Sequence, residues 1–95
     1  MARQGNVRTT TLTGAIAVFL PARRNRVALT LFPSGTDYTI SNDPSVAATA
    51  GIYVKSTATV PVYLDFSNSG DLVAQTLYAV GAAQTFAFIE VLEGD

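Results

Sequence analysis

The chain has 95 residues and 10.0 kDa, with a formal net charge of -1, so it suits one domain, not two, and offers no broad positive field to capture nucleic acid. Cysteine, histidine and tryptophan are absent, which excludes a disulfide scaffold, a thiolate metal site and every nucleophilic centre that needs a Cys–His or Ser–His pair. Apolar residues make up 48% of the chain and charged residues only 14%, against roughly 25% in a typical soluble domain. Such a surface is either clothed in Thr, Ser and Asn or partly hidden against neighbouring subunits.

Taken in order, residues 1–8 read as a flexible N-terminal arm, because Gly5 and Asn6 disfavour regular structure and Arg3 and Arg8 keep it solvated. A basic residue stands near the start, yet polar Thr9–Thr11 follows where a signal peptide would carry its apolar core, so no secretory leader is expected. Residues 9–95 read as one β-sandwich domain. Leu12 to Leu20 alternates like a strand, with Gly14 marking a bulge or its true start. Its apolar run Ile16–Leu20 is too short to cross a bilayer, so no membrane partner is predicted. Pro21 ends it, and the short Ala22–Asn25 link predicts a hairpin or neighbouring-strand connection.

Arg23-Arg24-Asn25-Arg26 then leads into Val27-Ala28-Leu29-Thr30-Leu31-Phe32, closed by Pro33-Ser34-Gly35. This is the expected central strand, with Val27, Leu29 and Leu31 on one face and Ala28, Thr30 and Phe32 on the other. Tyr38–Ile40 and Ile52–Val54 are brief strand candidates around the Asn42-Asp43-Pro44-Ser45 turn. Val46–Ala50 is the one place where a helical turn is plausible. Val60, Val62, Leu64 and Phe66 form an alternating inward set, with Pro61 at a strand start or free edge. Ser67–Asp71 reads as a solvent loop and Leu72-Val73 as a short pairing. Leu77–Val80 and Thr85–Leu92, joined by Gly81–Gln84, read as a closing hairpin. Short strands punctuated by turns predict an all-β fold, a small antiparallel β-sandwich or a partly open β-barrel.

Chemistry is thinly provided. Asp65 and Asp71 are the one tempting carboxylate pair, and Asp37 with Asp43, or Asp65, Asn68 and Asp71, the sets that would offer oxygen ligands to calcium. Asp, Asn, Ser and Gly serve equally as ordinary turn residues, so no enzyme activity, metal or cofactor is expected. Tyr38, Tyr53 and Tyr63 offer stacking surfaces, but without further basic residues nucleic-acid binding is not the expected role. Arg23, Arg24 and Arg26 form the one basic cluster, suited to acidic groups on another protein or to intrachain pairing. The last strand is apolar on both faces, with Phe86 and Phe88 on one and Ala87, Ile89 and Val91 on the other. A single sandwich core takes only one such face, so either a bulge near Phe88 switches the parity or a neighbouring subunit covers the second face. Arg23, Arg24, Arg26, Phe86 and Phe88 are therefore the candidate interface residues, with Phe19, Phe32 and Tyr63 adding support for an oligomer.

The segments Asn25–Leu31, Gly51-Ile52-Tyr53-Val54, Leu77-Tyr78-Ala79-Val80-Gly81 and Ile89–Glu93 together resemble small β-sandwich virion proteins of tailed bacteriophages. Arg26, Gly51, Tyr78 and Ala79 are the framework positions this resemblance carries over, while Val54-Lys55-Ser56-Thr57 lacks the expected glycine-rich turn. The resemblance implies a viral structural protein, a capsid decoration or cement protein that stabilises the shell as a homo-oligomer, a trimer by local symmetry, on the major capsid protein. It places the chain on the virion surface, and in the host cytoplasm during assembly. A neck, tail or fibre-base component is the alternative in the same class, and a small carbohydrate- or receptor-binding module with Tyr53, Tyr63 and Asp65 is the alternative in another.

Overall fold

The computed structural model describes residues 3–46 and 50–94. Eight strands run β1 (Arg3–Leu12), β2 (Ala17–Leu20), β3 (Arg26–Leu31), β4 (Tyr38–Ser41), β5 (Ile52–Val54), β6 (Val62–Asp65), β7 (Leu77–Gly81) and β8 (Gln84–Glu93). They make two four-stranded antiparallel sheets, ordered β1-β8-β3-β6 and β2-β7-β4-β5. The fold is an open all-β sandwich and not a closed barrel, and its strand order is that of a jelly roll.

In this topology the chain changes sheets after nearly every strand, and β4–β5 is the one pair of successive strands that are also partners. The two expected hairpins are therefore corrected. Pro21–Asn25 and Ala82–Ala83 are bridges between sheets, and β7 and β8 face each other across the core. Local spacing cannot distinguish such a bridge from a hairpin, because both need a short polar turn. The strand expected from Leu12 to Leu20 is divided by an exposed link, Thr13–Ile16, in which Gly14 takes φ +98°. The first strand begins at Arg3 and takes in residues assigned by sequence to an arm, because they pair with β8 from Arg3↔Glu93 to Leu12↔Gln84.

Leu20, Leu29, Leu31, Tyr38, Ile40, Leu77, Ala79, Phe86 and Phe88 form the heart of the core. The aromatic rings interlock there, with Phe19 edge-on to Phe88 at 4.7 Å and Tyr38 stacked on Phe86 at 3.9 Å. The Tyr38 hydroxyl donates to the Phe32 carbonyl at 2.6 Å, so this ring is buried without leaving its polar end unsatisfied.

Two irregularities set side-chain direction where simple alternation misleads. A register shift between Val18 and Leu20 lets both Phe19 and Leu20 enter the core. A second shift, between Arg26 and Ala28, leaves Val27 half-exposed and carries Arg26 inward beside Leu29 and Leu31. The expected inward set on β6 also shortens. Leu64 is buried and Val62 half-buried, but Val60 lies exposed before the strand and Phe66 exposed after it.

Phe66 opens a one-turn helix, α1 (Phe66–Ser69), where a loop was expected. Asp65 caps it, accepting from the Asn68 amide at 3.0 Å while the Asn68 side chain accepts from the Asp65 amide at 2.8 Å. A 3-10 helix at Gly70–Ala74 follows and buries Val73, in place of a strand pairing at Leu72-Val73. The helical turn expected at Val46–Ala50 falls largely on residues 47–49, outside the described residues. On either side of them Val46 is buried, and a Cβ on Gly51 would lie 2.7 Å from Thr39 Cγ2 and 2.8 Å from the Ile40 carbonyl. Val46 and Gly51 lie over the outer face of β4, where Thr39 is buried although it points away from the core.

Candidate assembly surface

The outer face of the other sheet is different. β8 turns Phe86, Phe88 and Glu90 inward and Ala87, Ile89 and Val91 outward. Strand register then builds two rows across four strands. One runs Val7–Ile89–Thr30–Tyr63 and the next Gly5–Val91–Ala28–Asp65. A Cβ on Gly5 would sit 3.7 Å from Ile89 Cγ2 and 4.0 Å from Val91 Cγ2, which places all three on this face. Val7 is 73% exposed, Tyr63 51% and Phe66 47%. Tyr63 and Phe66 join Val27, Arg3, Asp65 and Ser67 around a shallow depression at one end of the face. The result is an apolar stripe with a charged end, where Arg3 pairs with Glu93 at 3.1 Å.

The candidate interface residues are sorted by this geometry. Phe86 and Phe88 are covered by the chain's own second sheet, so the face of β8 that is open to a partner is the one carrying Ala87, Ile89 and Val91. Arg23 and Arg24 are exposed in the β2–β3 bridge. Arg26 is fully buried, and the bulge beside it is the reason. Its guanidinium donates to the Val73 carbonyl at 2.7 Å, the Gln75 carbonyl at 2.8 Å, the Pro21 carbonyl at 3.0 and 3.1 Å, and Glu90 Oε2 at 3.1 Å. Planar, five-donor geometry suits arginine to this position, where it ties β3, β8, the β2–β3 bridge and the end of the 3-10 helix together. Burial pulls its pKa down, while the hydrogen bond and the charge of Glu90 push back.

Glu90 is shared. Its second oxygen accepts from Arg8 Nη1 at 3.1 Å, and Arg8, half-exposed, also lies 5.8 Å from the centroid of the Phe88 ring. In the sequence Glu90 interrupts an otherwise apolar strand. Its parity with Phe86 and Phe88 was the signal that it is inside, since a carboxylate there requires a buried cation.

The acidic residues are engaged in ordinary structural bonds. Asp65 caps α1, Asp71 accepts from Gln75 Nε2 at 3.0 Å, and Asp43 accepts from the Ser45 amide at 2.9 Å. Asp37 accepts from the Tyr53 hydroxyl and from the Ser56 amide. The Ser56 bond, then the Tyr53 bond, holds its pKa below the usual carboxylate value. Among the described residues no group of three His, Cys, Asp or Glu side chains could hold a metal ion, and no helix is long and apolar enough to cross a membrane. The chain contains no cysteine or histidine either.

The chain is thus an eight-stranded sandwich with apolar side chains exposed on its outer surface. No family model matches the chain, and no curated protein matches it. Among solved structures it is similar to one described as showing that Bacillus endospore appendages form a novel family of disulfide-linked pili, with a TM-score of 0.60 and 18% identity. The likeness covers 95% of this chain and 83% of that one, and it establishes a shared fold. It also corrects the phage resemblance. The match, over 95% of this chain, falls on an appendage protein and not on a virion protein. The virion location, the capsid-decoration role with its neck, tail or fibre-base and glycan-module alternatives, and the major capsid partner are withdrawn with it.

Proposed function

We propose that this chain is a structural subunit that assembles with copies of itself into a bacterial surface or spore appendage resembling a pilus. The observation that carries this reading is the outward-facing apolar stripe of exposed Val7 and Tyr63 with half-buried Ile89 and Val91 on the β1-β8-β3-β6 sheet. Removing such a stripe from water is the natural use for a chain with so few charges, and a second copy supplies a matching surface. The shared fold with an endospore appendage protein supports the same reading. One difference matters. That appendage is described as disulfide-linked, whereas this chain has no cysteine, so its assembly is held without disulfides.

Sedimentation of the purified protein across a concentration series, with electron microscopy of the fastest fraction, tests the proposal. Concentration-dependent oligomers or fibres are expected. Val7→Asp is expected to weaken them while shifting folding stability by no more than about 0.5 kcal/mol, the usual range at an exposed site. A wild-type chain that stays monomeric at every concentration overturns the reading.

A further inference from the structure

β1 is bound to the domain in an unusual way. It forms a ladder of ten residue pairs with β8, yet Leu12 is its one buried side chain. The other side-chain bonds that hold it, Arg3–Glu93, Arg8–Glu90 and Thr11–Thr85, all end on β8 as well. It stands at the edge of its sheet. The chain that ties it to β2 is Thr13–Ile16, exposed throughout and containing Gly14, where an added Cβ would meet nothing within 4 Å. β1 is thus joined to the domain by its ladder and side-chain bonds to β8, by the single core residue Leu12 and by a solvent-facing link.

The place it occupies is not dispensable. Without β1, the edge of β8 would be unpaired, Phe86 and Phe88 would lose their flanking strand, and Glu90 would lose Arg8. The slot therefore demands a strand of this sequence, and every copy of the chain carries one.

We propose that β1 is exchanged between subunits, so that the β1 of one copy fills the slot beside β8 in the next. This mechanism rests on the reading of the chain as a self-assembling subunit, and it specifies how the subunits are joined. Exchange preserves all ten residue pairs, Leu12 in the core and the Arg8–Glu90 pair, so the two states differ mainly in the conformation of residues 13–16 and in the entropy of association. When each copy gives β1 to a neighbour and receives one from another, the contact is head-to-tail, and an array that does not close becomes a fibre. Each joint would then be a complete strand ladder, which gives a cysteine-free chain a linkage stronger than surface packing.

The absence of native cysteine makes the test clean. Thr11 and Thr85 are direct partners, both exposed, with their hydroxyl oxygens 2.9 Å apart, and Thr9 and Ala87 are a second direct pair on the outer face. The variants Thr11→Cys/Thr85→Cys and Thr9→Cys/Ala87→Cys are assembled in reductant, sedimented, oxidised and run on a denaturing gel without reductant. Covalent dimers and longer ladders that collapse to one band on reduction are the expected result. Assembled material of both variants that yields no bridge between chains overturns the exchange while leaving self-assembly standing. A wild-type chain that fails to sediment as an oligomer removes the reading beneath it as well, and the two failures are told apart by that sedimentation alone.

Discussion

β1 and β3 flank the same strand, β8, on its two sides, and each makes an antiparallel ladder with it, unbroken along β1 and bulged between Arg26 and Ala28 in β3. In every other respect they differ. β3 buries four of six side chains and, through Arg26, bonds to three other parts of the chain, whereas β1 buries one of ten and its side-chain bonds reach β8 alone. Backbone pairing places a strand, but side-chain burial fixes it to its domain, since a solvent-facing ladder exchanges its hydrogen bonds with water at small net cost. One neighbour of β8 is a keystone and the other is an attachment.

The largest effect expected is at the keystone. Glu90→Gln leaves the Arg26 guanidinium buried without its counter-charge, and we expect a loss of about 3–5 kcal/mol, seen as a fall in Tm of at least about 12 °C. A fall of only a few degrees would mean that the carbonyls of Pro21, Val73 and Gln75 suffice to hold Arg26. Leu12→Ala comes next, at about 2–5 kcal/mol, because Leu12 is the one residue of β1 that creates a cavity when shortened. Urea unfolding measures it, and a near-neutral result would detach β1 from the core altogether. Arg8→Ala, at the attached side of the same carboxylate, is expected to cost about 1 kcal/mol or less, since Arg8 is half in solvent and Glu90 keeps Arg26. Equal losses for Arg8→Ala and Glu90→Gln would erase the contrast between the two strands.

The smallest effect is one of pH, and it lies on the other sheet. Asp37 has its pKa lowered in the fold by the Ser56 amide and the Tyr53 hydroxyl. Stability from this contact is therefore present above the unfolded value of about 3.9 and is lost as pH falls through the lower, folded value. Amide exchange at Ser56 is expected to quicken in that acid window while the β3 amides stay protected. Uniform quickening throughout the chain would instead report global unfolding.

Much of this was legible in the sequence. The all-β class, the strand positions at Tyr38–Ile40 and Ile52–Val54, and the two-faced apolar character of the last strand follow from alternation and turn residues. What was not legible has identifiable causes. A single-residue bulge at Val27 reverses the direction of Arg26, and nothing in Arg-Val-Ala-Leu announces it. Short bridges between sheets look like hairpins, so β7 and β8 read as partners although they lie in opposite sheets. The polar sequence of β1 reads as a loose arm because its side chains contribute almost nothing to the core, and its pairing with β8 depends on residues more than seventy positions away. The interface reading failed at Phe86 and Phe88 by one residue of parity, since the covered and uncovered faces of β8 alternate.

Tyr38, stacked on Phe86 with its hydroxyl on the Phe32 carbonyl, has a further use as a built-in optical gauge. The chain has four tyrosines and no tryptophan, so phenolate absorbance on alkaline titration comes from these rings alone. Burial pushes the Tyr38 phenol well above its ordinary range, and the fold thereby favours the neutral ring. The stability this lends is intact below pH about 10, where the unfolded tyrosine is also neutral, and drains away as the solution grows more alkaline. A late, abrupt rise in phenolate signal during such a titration would thus mark the moment at which the two sheets part.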